Sequence, residues 1–234
     1  MSRLIEQDIE MLRGIDTPTI CNLLETVAPN RRGYGFTYQH LHCVFPALRP
    51  IVGYAKTATM RARVPGTRTP EQSMDFRDRY IDYIARGTEP KISIVQDLDE
   101  SPGYGALWGE VFTNVHKALG VNGVVTNGCA RDLDMIAEDF QILAGLVSPA
   151  RTYVHLCDFG CEVNVHGMTV NDDDLVHADR HGAVVIPHQV VGEIPKALDL
   201  MNRKEKVILD AARSANCTAE TLKAAFRASA KITS

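Results

Sequence analysis

Apolar residues recur along this chain first at helical spacing, then at strand spacing, then at helical spacing again. Leu4, Ile5, Ile9 and Leu12 predict a helix over residues 3–13. Thr17-Pro18 reads as an N-cap followed by a proline in the first turn, so a second helix is expected over about 18–27. That helix would bury Ile20, Leu23 and Leu24. Residues 30–48 hold Arg31, Arg32, Gly33, Gly35 and Pro46 without a period and read as irregular chain. From Ile51 to Arg63 the pattern is strand-like, and Pro65 stops it. Thr69-Pro70 predicts a helix start, Phe76, Tyr80, Tyr83 and Ile84 its buried face, and Gly87 its end. Ile92, Ile94 and Val95 mark a short core strand.

The centre of the chain carries more information. A glycine-rich turn, Gly103-Tyr104-Gly105-Ala106-Leu107-Trp108-Gly109, leads into a helix whose apolar positions are Val111, Phe112, Val115, Ala118 and Leu119. Gly120 stops it. Residues 123–126 read as a small buried strand, Asn127-Gly128 as a turn, and Arg131-Asp132 as the opening of a short helix. This alternation predicts an α/β unit with parallel strands. Short strands follow at 140–147, 152–156, 161–165, 168–170 and 183–186, with Asn171-Asp172-Asp173-Asp174 as a turn. Two helices close the chain, over about 189–214, with Pro195 as a kink or the true start, and from near Thr218 with Leu222, Ala225 and Phe226 apolar. No linker or repeat interrupts the pattern, so residues 1–234 are expected to form one domain.

Composition narrows the class of protein. Of 234 residues, 45% are hydrophobic and 23% charged, which excludes a disordered chain or a rod. The net charge of −4 gives no overall attraction to nucleic acid or an anionic membrane. No apolar run approaches a membrane span, and the first residues are charged, so a cytoplasmic protein is expected. Six scattered cysteines read as reduced, mostly buried thiols. His155, Cys157 and Cys161 could offer zinc three ligands, but the fourth ligand and the tight cysteine pair of a structural site are missing.

Candidate chemistry gathers at the ends of the central elements. The glycine-rich loop ends at a helix N-terminus, where unpaired N–H groups and the helix dipole favour an anion. Ligands of α/β sheets bind beyond the carboxyl ends of parallel strands, and Arg131 and Asp132 fall at such an end. Arg131 is a permanently charged fork for a carboxylate or enolate. Asp132 is a hard oxygen ligand for Mg²⁺ or Mn²⁺, ions that keep several waters and need only one or two carboxylates. Glu110, the first acid after the loop, is suited to moving a proton. Taken alone, an Arg-Asp dipeptide also fits a solvated surface, and a glycine-rich loop also fits a plain turn.

The residues Gly105-Ala106-Leu107-Trp108-Gly109-Glu110, twenty further positions, then Arg131-Asp132 resemble the signature of RraA-like proteins. So do Arg49-Pro50 before Gly53-Tyr54-Ala55-Lys56-Thr57, Gly167-Met168-Thr169-Val170, and the run from Asp174 to Pro187. That family includes metal-dependent 4-hydroxy-4-methyl-2-oxoglutarate / 4-carboxy-4-hydroxy-2-oxoadipate aldolases. The resemblance implies a swivelling β/β/α sandwich, with flanking N- and C-terminal helices here, assembled as homotrimers or homohexamers. It implies cleavage of a 4-hydroxy-2-oxo-dicarboxylate to pyruvate and a second oxo-acid, with oxaloacetate decarboxylation by the same site. Carried over, Asp132 is the metal ligand, Arg131 holds the pyruvyl oxygens, and Glu110 lies beside the metal's waters. Backbone N–H groups of Ala106, Leu107, Trp108 and Gly109 bind the carboxylate. Glu205 is the candidate for an acid donated by a neighbouring chain.

Two positions depart from the family pattern. Asn127-Gly128 stands where Asp-Gly is frequent, and Met135 where an acid often follows the metal aspartate by three. Both bear on hydrogen bonding around the metal ligand. Arg61, Arg63 and Arg68 are candidates for a distal carboxylate or solvated strand-end residues. His155, His166, His177, His181 and His188 read as hydrogen-bonded turn or interface residues rather than a second metal site. A second class remains: RraA proteins that bind and inhibit an endoribonuclease lack the metal aspartate, which this chain has as Asp132.

Overall fold

The alternating apolar positions of the central strands build a mixed sheet that is buried on both faces. The computed structural model describes residues 4–233. In chain order the elements are α1 (Glu6–Arg13), α2 (Thr17–Val27), β1 (His42–Cys43), β2 (Ile51–Arg61), α3 (Pro70–Ala85) and β3 (Lys91–Asp97). Then come β4 (Ala106–Trp108), α4 (Glu110–Ala118), β5 (Val121–Ala130), β6 (Gln141–Val147), β7 (His155–Phe159), β8 (Val163–Val165) and β9 (Met168–Val170). Last are β10 (Leu175–Asp179), β11 (Gly182–Ile186), α5 (Ile194–Ala212) and α6 (Ala219–Ala230). Arg3, the expected start of the first helix, lies outside the described residues.

The nine-stranded sheet runs β1-β6-β5-β3-β2-β10-β11, with β4 on β5 and β7 on β2. Its centre is parallel, as expected: β2 with β3, β3 with β5, and β5 with both β4 and β6. Alternate side chains of these strands enter two separate cores. Ile92, Ile94, Val125 and Leu143 pack with β8 and β9. Val95, Val124, Ile142 and Ala144 pack with Tyr80, Tyr83 and Ile84 of α3 and with Trp108 and Phe140.

The chain divides into two compact units. One comprises Met1–Ile20 and Gly33–His188 and contains the sheet; the other comprises Cys21–Arg32 and Gln189–Ser234. In the second unit α5 packs against α6, Pro195 sits in the first turn of α5, and Thr218 forms a capping box on α6. Among the described residues no helix is long and apolar enough to cross a membrane.

Several local expectations are corrected. Asp16 caps α2, accepting the Thr19 N–H at 2.9 Å, whereas the Thr17 hydroxyl is drawn to His177 at 3.0 Å. Asn127-Gly128 is no turn, because β5 continues through it with a register shift. The strand β10 had no clear local pattern, and β4 is held by its pairing with β5 and by the Ala106 N–H on the Ala150 carbonyl. On α4 the fully buried side chains are Thr113 and His116, while Val111 is 73% exposed. On α6 Ala225 and Ser229 are buried and Phe226 is 60% exposed. All six cysteines are free thiols, but only Cys129 is fully buried.

Candidate active site

Local hydrogen bonding brings the glycine-rich loop and the Arg-Asp pair together. Asp97, at the end of β3, accepts the Gly103 N–H at 2.8 Å and the Asp99 N–H at 3.0 Å. Burial pushes the Asp97 carboxyl above its ordinary range, although these N–H groups and the Arg61 guanidinium favour its charged form. Asn127 locks the same strand end from the other side. Its side-chain carbonyl accepts the Asp97 N–H at 2.7 Å and its amide donates to the Asp97 carbonyl at 3.0 Å. The loop then pairs with β5, and Arg131 donates its N–H to the Trp108 carbonyl at 2.8 Å.

The α4 helix starts at this junction. Gly109 is its N-cap and supplies no side-chain acceptor. The first intrahelical bond runs from the Thr113 N–H to the Gly109 carbonyl, so the N–H groups of 110–112 have no partner within the helix. Asp132 lies against this start. A Cβ on Gly109 would come within 2.6 Å of the Asp132 Oδ2. Asp132 adopts a left-handed conformation, φ 52°, as N-cap of a short 3₁₀ turn at Leu133–Met135. Its carboxylate meets the Arg131 Nη1 at 3.2 Å, and both side chains are about one-third exposed.

Beside this junction opens a cavity of about 530 Å³. Ala106, Leu107, Gly109 and Arg131 line it. Trp108, Glu110 and Asp132 do not. The Trp108 side chain is fully buried, packed edge-on against Phe112 at 5.1 Å and His116 at 4.9 Å. Glu110 is exposed at the first position of α4. The Ala106 N–H already donates to the Ala150 carbonyl at 2.9 Å, so an anion would meet N–H groups nearer the helix start. Glu205 lies exposed on α5 in the second unit.

Of the three candidate distal cations, only Arg68 lines the cavity. It donates to the carbonyls of Leu156 at 2.6 Å and Cys157 at 2.7 Å, and its guanidinium stacks on Phe76 at 3.7 Å. Arg61 is engaged by the Leu98 carbonyl and Asp99, and Arg63 lies over the Tyr104 ring. Among the described residues no three His, Cys, Asp or Glu side chains converge as metal ligands, His155, Cys157 and Cys161 included. His177 is buried, accepts from the Thr17 hydroxyl and donates to the Leu12 and Ile15 carbonyls. His181 pairs with Asp179, and His188 stacks on Tyr54.

A family profile described as RraA-like, Aldolase/RraA, matches residues 17–185. The chain belongs to the RraA-like family. An uncharacterised relative from Methanocaldococcus jannaschii is 31% identical over 120 residues, covering 50% of this chain and 58% of the relative. A Hahella chejuensis protein, provisionally named a 4-hydroxy-4-methyl-2-oxoglutarate aldolase, is 27% identical over 110 residues, covering 41% and 67%. The solved structure of Streptomyces coelicolor RraAS2, described as an unusual member of the RNase ES inhibitor RraA protein family, shares the fold. Its TM-score is 0.66 at 18% identity, over 88% of this chain and 97% of that one.

In this RraA-like chain the cavity also takes in two residues that sequence reading passed over, Arg77 on α3 and Arg151 before β7; His155 lines it too, with its ring hydrogen-bonded to the Tyr153 carbonyl at 2.8 Å. Arg77 could have been found from its place one position after Phe76 on the amphipathic α3. Arg151 carried no such signal, because the loop that holds it has no period.

Proposed function

We propose that this protein is a divalent-metal-dependent carbon–carbon lyase that releases pyruvate from a 4-hydroxy-2-oxo-dicarboxylate, with oxaloacetate decarboxylation by the same site. The observation that carries the reading is the Arg131–Asp132 pair seated against the start of α4, beside a cavity whose charged lining side chains are all basic. The names of relatives such as the Hahella chejuensis protein support it.

The residues fit a hydrated divalent ion. Gly109 leaves the space where a Cβ would strike the Asp132 carboxylate, so this oxygen ligand is seated in a gap at the helix start. One carboxylate, with no converging thiolates or imidazoles among the described residues, suits Mg²⁺ or Mn²⁺, which retain waters, and does not suit structural zinc. Asp132 would hold the ion, which supplies Lewis acidity toward the 2-oxo group when bound.

The chain's own groups do the rest. Arg131 binds and orients the pyruvyl acid and stabilises the negative charge that develops as the C3–C4 bond breaks. The N–H groups at the start of α4 add positive potential toward the substrate carboxylate. Glu110 takes the proton of the C4 hydroxyl. Leu107 and Phe112 exclude water from the reacting carbons. A Schiff base is not required, and no lysine lines the cavity among the described residues. We further propose a homotrimer or homohexamer in which Glu205 of a neighbouring chain completes the site.

Pyruvate release from 4-hydroxy-4-methyl-2-oxoglutarate and from oxaloacetate, with Mg²⁺ or with a chelator, tests the proposal. Metal-dependent turnover is expected, and Asp132→Ala should remove the stimulation by metal, with a loss of roughly a hundredfold or more. Absence of metal-dependent turnover on every 2-oxo-dicarboxylate, together with specific capture of an endoribonuclease, would replace this reading with the regulator class.

A further inference from the structure

The cavity is larger and more aromatic than a small dicarboxylate requires. At about 530 Å³ it falls within the roughly 300–1,000 Å³ of sites that enclose drug-sized ligands. Its charged lining residues are Arg68, Arg77, Arg131 and Arg151, with His155 beside them and no acid. Its apolar wall is formed by Phe76 and Tyr80 of α3, Phe112 of α4, and Val154 and Leu156 near β7. The Tyr80 and Phe112 rings are stacked within 1° of parallel at 6.2 Å. Arg68 stacks on Phe76 and is tied by two backbone carbonyls, so its planar group extends this wall and is not a free anion receptor. Phe76 and Tyr80 are themselves buried and back this wall, while Phe112, Val154 and Leu156 are half-buried; a compact dicarboxylate held at Arg131 would leave those three facing water, which an apolar substituent on the same ligand would displace.

We propose that the site accepts 2-oxo acids carrying an aryl group, with the acid at Arg131 and the ring against the half-buried Phe112, Val154 and Leu156. The inference rests on the lyase reading for its chemistry but concerns which substrate fits. The cleaved molecule would be the aldol adduct of pyruvate with an aryl 2-oxo acid. The C4 hydroxyl proton goes to a base, and its oxygen becomes the carbonyl of the aryl fragment. The C3–C4 electron pair stays on C3, which takes up a proton to become the pyruvate methyl group.

Ser73 makes a clean probe, because it is exposed on α3 and lines both this cavity and the adjoining cleft of about 320 Å³. Calorimetric titration with pyruvate and with phenylpyruvate, in Mg²⁺ and in chelator, reads ligand preference without turnover. Phenylpyruvate should bind at least tenfold tighter than pyruvate to the wild-type protein. Ser73→Trp, which places an indole over the cavity, should remove most of that preference. Equal affinities, no binding of either acid, or a preference unmoved by Ser73→Trp would overturn the proposal. Failure of the lyase reading looks different: selective binding of phenylpyruvate persists but no pyruvate is released from any adduct.

Discussion

At the residue scale, the candidate site depends on one absent Cβ and one amide. Gly109 has an extended backbone that alanine also adopts, so Gly109→Ala tests space and not conformation. The added carbon would meet the Asp132 Oδ2 at 2.6 Å and must displace the carboxylate. We expect a loss of activity of about a hundredfold, because displacements near an ångström have that effect, with unfolding stability changed by less than about 1 kcal/mol. Steady-state kinetics and urea denaturation measure the two. Asn127 departs from the Asp-Gly frequent in the family, and the structure gives the departure a purpose. Only an amide can both accept from the Asp97 N–H and donate to the Asp97 carbonyl. Asn127→Asp would leave that carbonyl without its donor and add a charge beside the Asp97 carboxyl. A cost of about 1–3 kcal/mol in urea denaturation is expected.

At the scale of elements, α3 was fully legible, since each of its signals is local. Thr69, Pro70 and Gln72 form the start, with Thr69 accepting the Gln72 N–H and Gln72 accepting the Thr69 N–H. Phe76, Tyr80, Tyr83 and Ile84 recur at helical spacing and are the buried residues. Thr69→Ala should cost about 1 kcal/mol, seen as a lowered urea midpoint, because the Gln72 N–H loses its acceptor while the Gln72 side chain keeps the Thr69 N–H. The strand β10 was illegible for the opposite reason. It is buried throughout but carries His177 and Asp179. Their partners on the α2 side, Thr17 among them, lie some 160 positions away along the chain. Likewise Val111 belongs to the apolar spacing of α4, yet its side chain stands exposed at the cavity.

At the scale of the whole molecule, buried histidines set the response to acid. His116 donates from Nδ1 to the Phe112 carbonyl and accepts at Nε2 from the Tyr80 hydroxyl, a pattern that requires the neutral ring. Burial lowers its pKa to about 4, against a smaller opposing effect of the Phe112 carbonyl. Burial also lowers that of His177. Above roughly pH 6.5 both folded and unfolded chains hold these rings neutral. As pH falls from there toward about 4, the unfolded chain takes up protons that the folded chain refuses, so stability is lost. For His116 the loss is on the order of 3 kcal/mol across that window. Urea midpoints should therefore fall between pH 7 and pH 4.5, and His116→Gln should flatten the decline; an unchanged slope would assign the acid sensitivity elsewhere.

By itself, the sequence determined the α/β class, the parallel centre and most helix boundaries. It also marked Arg131 and Asp132 as adjacent residues just beyond a central strand. These depend on period, capping and glycine placement, which act over a few residues. Tertiary structure alone decided that Gly109 and Asp132 share one gap, that Arg68, Arg77 and Arg151 line the same cavity, and that Trp108 turns into the core. Each of these follows from β4 and β5 pairing and from α3 packing over the sheet. Such contacts join residues far apart in the chain, and a pattern read along the chain has no term for them.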